Sequence, residues 1–205
     1  MKRLIATVIL ATAALTSGAQ NIVSDFTASL GGKCASFSYS YTLSGKYPVT
    51  GSGKVTLQGD AFTMKGDDLE VYCNGSDRWT LDIGSEECYI ESVKEGELDV
   101  EANPALLVGA VDKAFRLVKT VSATFDSRKV SEAVLSPVSD KGNITGASLY
   151  LTKDLKPAGA VINTSDGTSI KIVINDYVLG AEVSRDAFSF DTKKLDKHYV
   201  ITDLR

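Results

Sequence analysis

The sequence has little of what most catalytic and nucleic-acid-binding sites need. It contains one histidine, His198, and its 22 lysines and arginines are outnumbered by 26 aspartates and glutamates. A lone histidine in a polar stretch near the C-terminus argues against a histidine-based catalytic triad. An acidic chain without a stripe of basic residues is also a poor partner for nucleic acid. The P-loop, GxGxxG and HExxH motifs do not occur in the sequence.

Cysteine is scarce too, with Cys34, Cys73 and Cys88 as the three examples. An odd number cannot pair completely within one molecule, and the sequence has no CxxC motif. Cys73 and Cys88 belong to predicted strands that flank the strand of Trp79. Two strand spacings of about 4.8 Å each place them too far apart for a disulfide. We therefore interpret the cysteines as small buried hydrophobic residues and expect no metal site.

Long apolar runs are confined to the N-terminus, which has the pattern of a secretory signal peptide. Lys2 and Arg3 precede a 12-residue apolar run, residues 4–15, which is shorter than the roughly 20 residues of a membrane-spanning helix. Small residues then lead to a predicted cleavage after Ala19. The expected organisation is a signal peptide at residues 1–19 and a single domain at residues 20–205. Cleavage would change the formal net charge from −4 to −6.

The part of the chain that follows is rich in short amphipathic strands. Residues 53–93 read as five strands joined by tight polar turns, which is typical of neighbouring antiparallel strands. Apolar residues alternate with polar ones along each strand, so they should share one face of a sheet. The pattern indicates a broad, curved sheet that is apolar on one side. Such a surface suits holding an apolar molecule better than transforming a polar one.

Helices and further strands complete the prediction. Apolar residues at helical spacing predict a short helix from Ile22 to Leu30, which Gly31-Gly32 ends. Asn103-Pro104 is a helix start, and that second helix should end between Ala110 and Lys113. Further strands are predicted at residues 33–43, 115–125, 129–138, 144–152, 159–165, 169–180 and 187–190. The fold class is α+β, with a large antiparallel sheet that curls.

The order of these features resembles the periplasmic outer-membrane lipoprotein carrier family, the LolA type. The resemblance rests on CASFSYSYTL at residues 34–43, on GSGKVTLQGDAFTMKGDDLEVYCNGSDRWTLDI at residues 51–83 and on NPALLV at residues 103–108. It continues through residues 147–177 and the closing AFSFDT at residues 187–192. The resemblance implies an incomplete, eleven-strand-like barrel, closed by short helices over a hydrophobic cavity, without a cofactor.

The resemblance also implies a function and two partners. Such carriers take lipoprotein acyl chains from an inner-membrane transporter and pass them to an outer-membrane acceptor. We accordingly predict a non-enzymatic, monomeric periplasmic carrier. One position departs from the family, because Gln58-Gly59 stands where the best-known carriers have an Arg-Pro whose arginine helps to hold the lid closed.

The candidate binding residues come from the alternating strands and the second helix. The predicted cavity wall consists of Phe37, Tyr39, Val55, Leu57, Phe62, Met64, Val71, Trp79 and Leu81, and the predicted lid of Leu106, Leu107 and Val111. Aromatic and methionine side chains form adaptable pockets for acyl chains. Two alternatives stay open at this point. The same residues could form a filled core in a protein-interaction module, or the carboxylates in turns could serve a hydrolase.

Overall fold

The computed structural model describes residues 21–45, 47–93, 106–109, 111–139 and 142–205, without the side chains of residues 106 and 107. The predicted signal peptide and the predicted start of the second helix at Asn103-Pro104 lie outside these ranges. None of the helices in the described ranges has the length and hydropathy needed to cross a bilayer.

The described chain forms one twelve-stranded sheet and five short helical segments. The α-helices are α1 (Ile22–Leu30), α2 (Leu106–Gly109) and α3 (Val111–Ala114), and two 3₁₀ helices cover Arg185–Phe188 and Thr192–Lys194. The strands are β1 (Ala35–Ser44), β2 (Val49–Gln58), β3 (Ala61–Gly66), β4 (Leu69–Cys73), β5 (Asp77–Asp82), β6 (Glu87–Ser92), β7 (Phe115–Phe125), β8 (Arg128–Pro137), β9 (Ile144–Leu151), β10 (Pro157–Thr164), β11 (Ser169–Leu179) and β12 (Val200–Asp203).

The strand order is β12-β6-β5-β4-β3-β2-β1-β11-β10-β9-β8-β7. Two runs of sequential antiparallel neighbours, β1 to β6 and β7 to β11, are therefore joined where β1 pairs with β11. Among the strands that the structure describes, β7 and β12 have a neighbour on one side only, so the sheet stays open. The predicted α+β incomplete barrel is confirmed.

Near the C-terminus, one strand prediction was wrong and one strand was not predicted. Residues 187–190 were predicted as a strand, but the chain there is in and just beyond the first 3₁₀ helix. Val200–Asp203, for which no strand was predicted, forms β12, which pairs with β6 in parallel. Its four residues are too few for a visible alternation, and its partner strand lies far away in sequence.

The first helix forms as its sequence predicts. The Asn21 side chain accepts hydrogen bonds from the backbone N–H groups of Val23 and Ser24, at 3.2 and 3.3 Å, which caps the first turn. Gly31 then ends the helix with a φ of 50°, in the left-handed region that glycine adopts without cost. The apolar stripe, Val23, Phe26 and Leu30, is buried against the sheet.

The main core lies between the helices and one face of the sheet, which we call the inner face. Val55 of β2 and Met64 of β3 are paired on this face, and Phe26 of α1 and Val111 of α3 belong to the same buried cluster. The opposite side is the outer face. The helices therefore cover the apolar surface that the alternating strands provide.

The sheet exchanges its apolar face between β4 and β5. Val71 on the inner face pairs with Thr80, whereas Tyr72 on the outer face pairs with Trp79. Directly paired residues project to the same side of a sheet. Trp79 and Leu81 therefore lie on the outer face, and the prediction that they share a face with Val71 was wrong.

The outer face of β5 and β6 carries a second apolar cluster, sealed by the C-terminal segment. Its buried members are Trp79, Leu81, Cys88 and Ile90, and Tyr72, Phe190, Leu195 and Tyr199 pack against it. The inner side of the same strands is polar, with an Arg78–Glu91 ion pair at 2.8 Å. We call the second cluster the Trp79 cluster.

The cysteines lie on different faces. Cys73 belongs to the inner core and Cys88 to the Trp79 cluster, so these two thiols are separated by the sheet. Both are buried, as predicted, whereas Cys34 is half-buried, and all three are free thiols.

Candidate ligand-binding cavity

The inner face contains a cavity of about 420 Å³ that no described side chain fills. It lies over β1, β2 and β11, beside the β3–β4 turn and under α2. Its lining is mostly aliphatic and aromatic: Phe37, Tyr39, Tyr41, Leu43, Val49, Thr50, Gly51, Ser52, Val55, Met64, Gly66, Asp67, Asp68, Leu69, Val108, Ala160, Ile170, Ile172 and Ile174. The size and the apolar lining fall within the range of small-molecule sites in proteins.

Two cross-strand rows form the floor of the cavity. In one row, Tyr39 lies between Ile174 of β11 and Gly53 of β2. In the next, Tyr41 lies between Ile172 and Gly51. Each tyrosine thus has an aliphatic partner on one side and a glycine on the other.

The glycines let the tyrosine rings lie flat on the sheet. A Cβ at Gly51 would be 2.5 Å from the Tyr41 Cε1 atom, and one at Gly53 would be 2.8 Å from the Tyr39 hydroxyl oxygen. Both are closer than carbon atoms can approach, so each ring occupies the space where a side chain would stand. The two rings stack on each other, with centroids 6.4 Å apart. Because they lie along the sheet, the volume above them stays open.

The mouth of the cavity combines apolar and acidic groups. Val49 and Leu69 are 49% and 38% exposed, and Asp67 and Asp68 stand beside them in the β3–β4 turn. Burial raises the pKa of the Tyr39 hydroxyl, and the neighbouring Tyr41 and the negative charge of Asp67 raise it further. Tyr39 therefore stays protonated and neutral at physiological pH.

The predicted cavity wall divides into three groups. Phe37, Tyr39, Val55 and Met64 line the cavity. Leu57, Phe62 and Val71 lie on the same inner face, but in its filled core and not at the cavity. Trp79 and Leu81 belong to the outer face, as described above.

The predicted lid residues are only partly described. Val111 is fully buried in the inner core, and Val108, one residue beyond the predicted pair, lines the cavity. The side chains of Leu106 and Leu107 lie outside the described part of the chain. Gly109 brings α2 close to the sheet, because a Cβ there would be 3.0 Å from the Gly59 carbonyl oxygen.

Several lining residues were not predicted, above all the isoleucines of β11. Ile170, Ile172 and Ile174 recur at every second position of the predicted strand, with Lys171 and Val173 between them. Their place beside the tyrosines depends on the β1–β11 pairing, which joins residues about 130 to 140 positions apart. Tyr41 and Leu43 could have been found, because they continue the alternation of Phe37 and Tyr39.

Gln58, where the resemblance places an arginine, holds the C-terminal segment. Its amide nitrogen donates to the Val183 carbonyl at 3.0 Å, and its amide oxygen accepts from the Val183 N–H at 2.8 Å. Both hydrogen-bonding groups of the amide are used by one backbone residue. This neutral contact holds the end of β2, which lies next to α2, against the chain that follows β11.

A second depression, of about 610 Å³, lies between α1, β7 and the β9–β10 turn. Although it is larger, it is a shallow, open surface with Asp25 and Lys153 on its walls. Apolar molecules gain most where they lose contact with water, so the deeper and more apolar inner cavity is the better candidate site. Within the described ranges, no three His, Cys, Asp or Glu side chains are grouped to hold a metal ion.

Solved structures show where this architecture occurs elsewhere. The chain is similar to an uncharacterized conserved protein from Thermus thermophilus, with a TM-score of 0.53 and 11% identity over 89% of this chain and 96% of that one. It also matches a LolA superfamily protein from Nitrosomonas europaea (TM-score 0.48, 8% identity, 84% and 98% covered). A third match is a putative outer membrane lipoprotein-sorting protein domain from Vibrio parahaemolyticus (TM-score 0.47, 11% identity, 82% and 94% covered).

No protein-family model and no curated protein matches the sequence. The described architecture is an open, curved, mostly antiparallel sheet with short helices over an apolar cavity, which is an incomplete barrel. The chain shares this fold with the Thermus thermophilus protein. At identities this low, the similarity concerns the fold alone.

Proposed function

We propose that the protein is a periplasmic carrier that holds lipoprotein acyl chains in the cavity of its inner face and releases them toward the outer membrane. The observation that carries the proposal is the cavity itself, which the flat tyrosine rings keep open over the glycines of β2. A larger residue at Gly51 would push the Tyr41 ring into this volume. No catalytic role is proposed for any residue.

The energetics suit reversible transport. Each methylene that leaves water contributes about 0.8 kcal/mol, so a chain in this cavity binds usefully without a polar anchor. Because the affinity comes from apolar contact alone, a partner that offers an equally apolar site can accept the ligand. In this proposal the donor is an inner-membrane transporter and the acceptor an outer-membrane protein, and the carrier works as a monomer after cleavage at Ala19.

Lid control is proposed to differ from that of the best-known carriers. Gln58 makes two neutral hydrogen bonds with Val183, and this contact lies next to the Gly59–Gly109 approach of α2. Because the Gln58 amide is neutral, it cannot make the charge-assisted contact that an arginine would make at this position.

The proposal is tested by placing a charge in the cavity. Val108 is 2% exposed on α2 and lines the cavity, and Val118 is 61% exposed on β7. We expect Val108→Asp to weaken binding of a fluorescent fatty acid at least tenfold, because a carboxylate would be buried without a partner. Val118→Asp is the matched control and should bind as the parent protein does.

Folding is checked separately from binding. Val108→Thr keeps the shape of the side chain but replaces one methyl group by a hydroxyl, so it should remain folded and weaken binding by a few-fold. Native mass spectrometry of protein purified gently from the periplasm would identify a co-purifying acylated molecule. A parent protein that takes up neither fatty acid nor lipopeptide would disprove the carrier and leave a protein-interaction module as the function.

A further inference from the structure

We propose that the edge strand β7 docks an extended segment of another protein, which joins the sheet as one more strand and carries acidic residues on its outer side. The proposal concerns an interaction surface, and it does not depend on what the cavity binds. It follows from the length of this edge, from the charges on its outer side and from the depression beside it.

The two edges of the described sheet differ in length. β12 forms one edge with four residues, whereas β7 forms the other with eleven. All of the pairing that the structure describes for β7 is with β8. An edge strand presents a row of backbone N–H and C=O groups with which another chain can pair, and proteins usually keep such rows short. The long edge is therefore where an added strand would gain the most hydrogen bonds.

A bulge divides β7 and leaves one regular stretch. The pairing with β8 shifts between Leu117 and Lys119, so Val118 has no residue opposite it. From Lys119 to Phe125 the register is uninterrupted. This stretch, KTVSATF, contains neither proline nor glycine, and most of its residues favour strands. An added strand can thus pair with it over a usual strand length.

Both faces of this stretch are exposed. On the inner side, Thr120 pairs with the buried Ala133 of β8 and yet is exposed itself. Ser122 and Thr124, on the same side, are exposed as well. On the outer side, Val121 is 37% exposed. The side chains of an added strand would therefore find room on either face.

The outer side of β7 is positively charged. Arg116 and Lys119 are exposed there, and within the described part of the chain neither belongs to an ion pair. β7 itself contains no aspartate or glutamate. Glu132 of β8 lies opposite Val121, but its carboxylate already accepts a hydrogen bond from the Ser148 hydroxyl at 2.7 Å. Acidic side chains on an added strand would form cross-strand pairs with the two cations.

The inner side offers space for apolar side chains. The second depression lies beside this part of β7, and its lining consists of Ile22, Asp25, Ala28, Thr120, Lys153 and Leu155. Successive residues of a strand point to opposite faces. A segment with acidic residues on the outer side would therefore direct every other residue toward the depression, where apolar groups meet Ile22, Ala28 and Leu155. The expected partner segment alternates acidic and apolar residues.

The test uses a fluorescein-labelled synthetic peptide of four Glu-Val repeats and the full mature protein, with binding followed by fluorescence anisotropy. A second peptide has the same composition in the order Glu-Glu-Val-Val, repeated. It carries the same charge but cannot place all its acidic residues on one side of a strand. We expect the second peptide to bind at least tenfold more weakly.

N-methylation shows whether the main chain makes the contact. The N–H groups of alternate residues in a strand point to opposite edges. Methylating the glutamate amides therefore blocks one edge of the peptide, and methylating the valine amides blocks the other. Because only one edge can pair with β7, we expect one methylated peptide to lose at least tenfold in affinity and the other to bind as the unmethylated peptide does.

Matched variants locate the peptide on the protein. Lys119→Glu should weaken binding about threefold or more, because a like charge then faces the acidic residues. Lys54→Glu makes the same change at an exposed position of β2, in the other half of the sheet, and should bind as the parent protein does. Ala28→Tyr should weaken binding by filling the depression. Its control is Ser24→Tyr, an exposed position of α1 outside the depression.

The outcomes separate a partner segment from other occupants. Displacement of the peptide by an unlabelled fatty acid would place it in the cavity and overturn the proposal. Loss of binding with both methylated peptides, or with neither, would show that no strand is added. An unchanged affinity in Lys119→Glu would overturn the placement on β7.

Two further results bear on the proposal. A parent protein that ignores the peptide and sediments as a dimer would assign β7 to a second copy of the chain, and a monomer that ignores it would overturn the docking edge outright. Failure of fatty-acid binding would overturn the carrier and leave the docking edge intact, because the two sites are separate.

Discussion

The inner cavity and the outer Trp79 cluster are two apolar surfaces of one sheet, and only the second is covered by other parts of the chain that the structure describes. Both arise from strands with alternating apolar residues, and both were predicted as a single cavity wall. The Trp79 cluster is sealed, because Phe190, Leu195 and Tyr199 of the C-terminal segment cover it. The cavity is open, because its tyrosines lie flat on glycines. Within the described residues, an apolar face of this sheet thus stays open only where no other segment covers it.

The comparison predicts that equivalent truncations will differ in their cost. Trp79 is 7% exposed and tightly surrounded, so Trp79→Ala should lower the free energy of unfolding by about 3–5 kcal/mol. Tyr41 borders open space, so Tyr41→Ala should cost much less. Urea unfolding of both variants measures the difference, and equal costs would show that the cavity is as tightly filled as the cluster.

Ligand binding should slow the chemical labelling of cysteines on the two surfaces to different extents. Cys73 belongs to the inner core and Cys88 to the Trp79 cluster, and burial raises the pKa of both thiols. Thiol reagents react with the exposed thiolate, so labelling reports local opening. At a ligand concentration of 100 times Kd, labelling of Cys73 should slow by about a hundredfold, with Cys88 little changed.

The same labelling experiment also shows whether the two faces of the sheet open independently. Equal slowing of Cys73 and Cys88 would mean that both faces open in one cooperative step. Cys34, which is half-buried, serves as an internal reference for the activity of the reagent.

The smallest expected effect concerns the C-terminal segment, which covers the Trp79 cluster, at low pH. Hydrogen bonds from Arg205 lower the pKa of Asp203 from 3.8 to about 2, and Arg205 also pairs with Asp77 of β5 at 3.1 Å. A carboxyl whose pKa is lowered in the folded protein stabilises it above the unfolded pKa, and this contribution is lost as the pH falls through about 2. The group is exposed, so the change is small.

The pH effect can be followed through the single tryptophan of the chain. Trp79 lies under the C-terminal segment, so its fluorescence should report loosening of this cover between about pH 4 and pH 2. Asp203→Asn removes the titrating group and should flatten this change. A cavity ligand should bind normally over the same range, because Asp203 is on the outer side of the sheet.

The secondary structure could largely be predicted from the sequence. The strand at residues 115–125 and the helix at residues 22–30 are confirmed residue by residue, because alternation, helical spacing and capping are local signals. The C-terminal strand β12 could not be found, since its stability comes from a distant partner, β6.

The candidate site could be predicted only in part, because alternation gives the period of a strand and not the face it presents. The turn between β4 and β5 pairs Cys73 with Arg78, and this register puts even-numbered residues of β5 on the inner face. One residue more or less in that turn would have brought Trp79 inside. The flat tyrosines also escaped prediction, because their glycine partners are in another strand.

The pairing of β1 with β11 has a consequence for how the protein folds. Each of the two runs, β1 to β6 and β7 to β11, joins strands that follow one another in the chain, so each can form through short loops. Ala35 and Leu179, by contrast, must find each other across the whole domain. The tyrosines and isoleucines of the cavity meet only at this contact. The cavity should therefore be among the last parts to form during folding, after both halves of the sheet already exist.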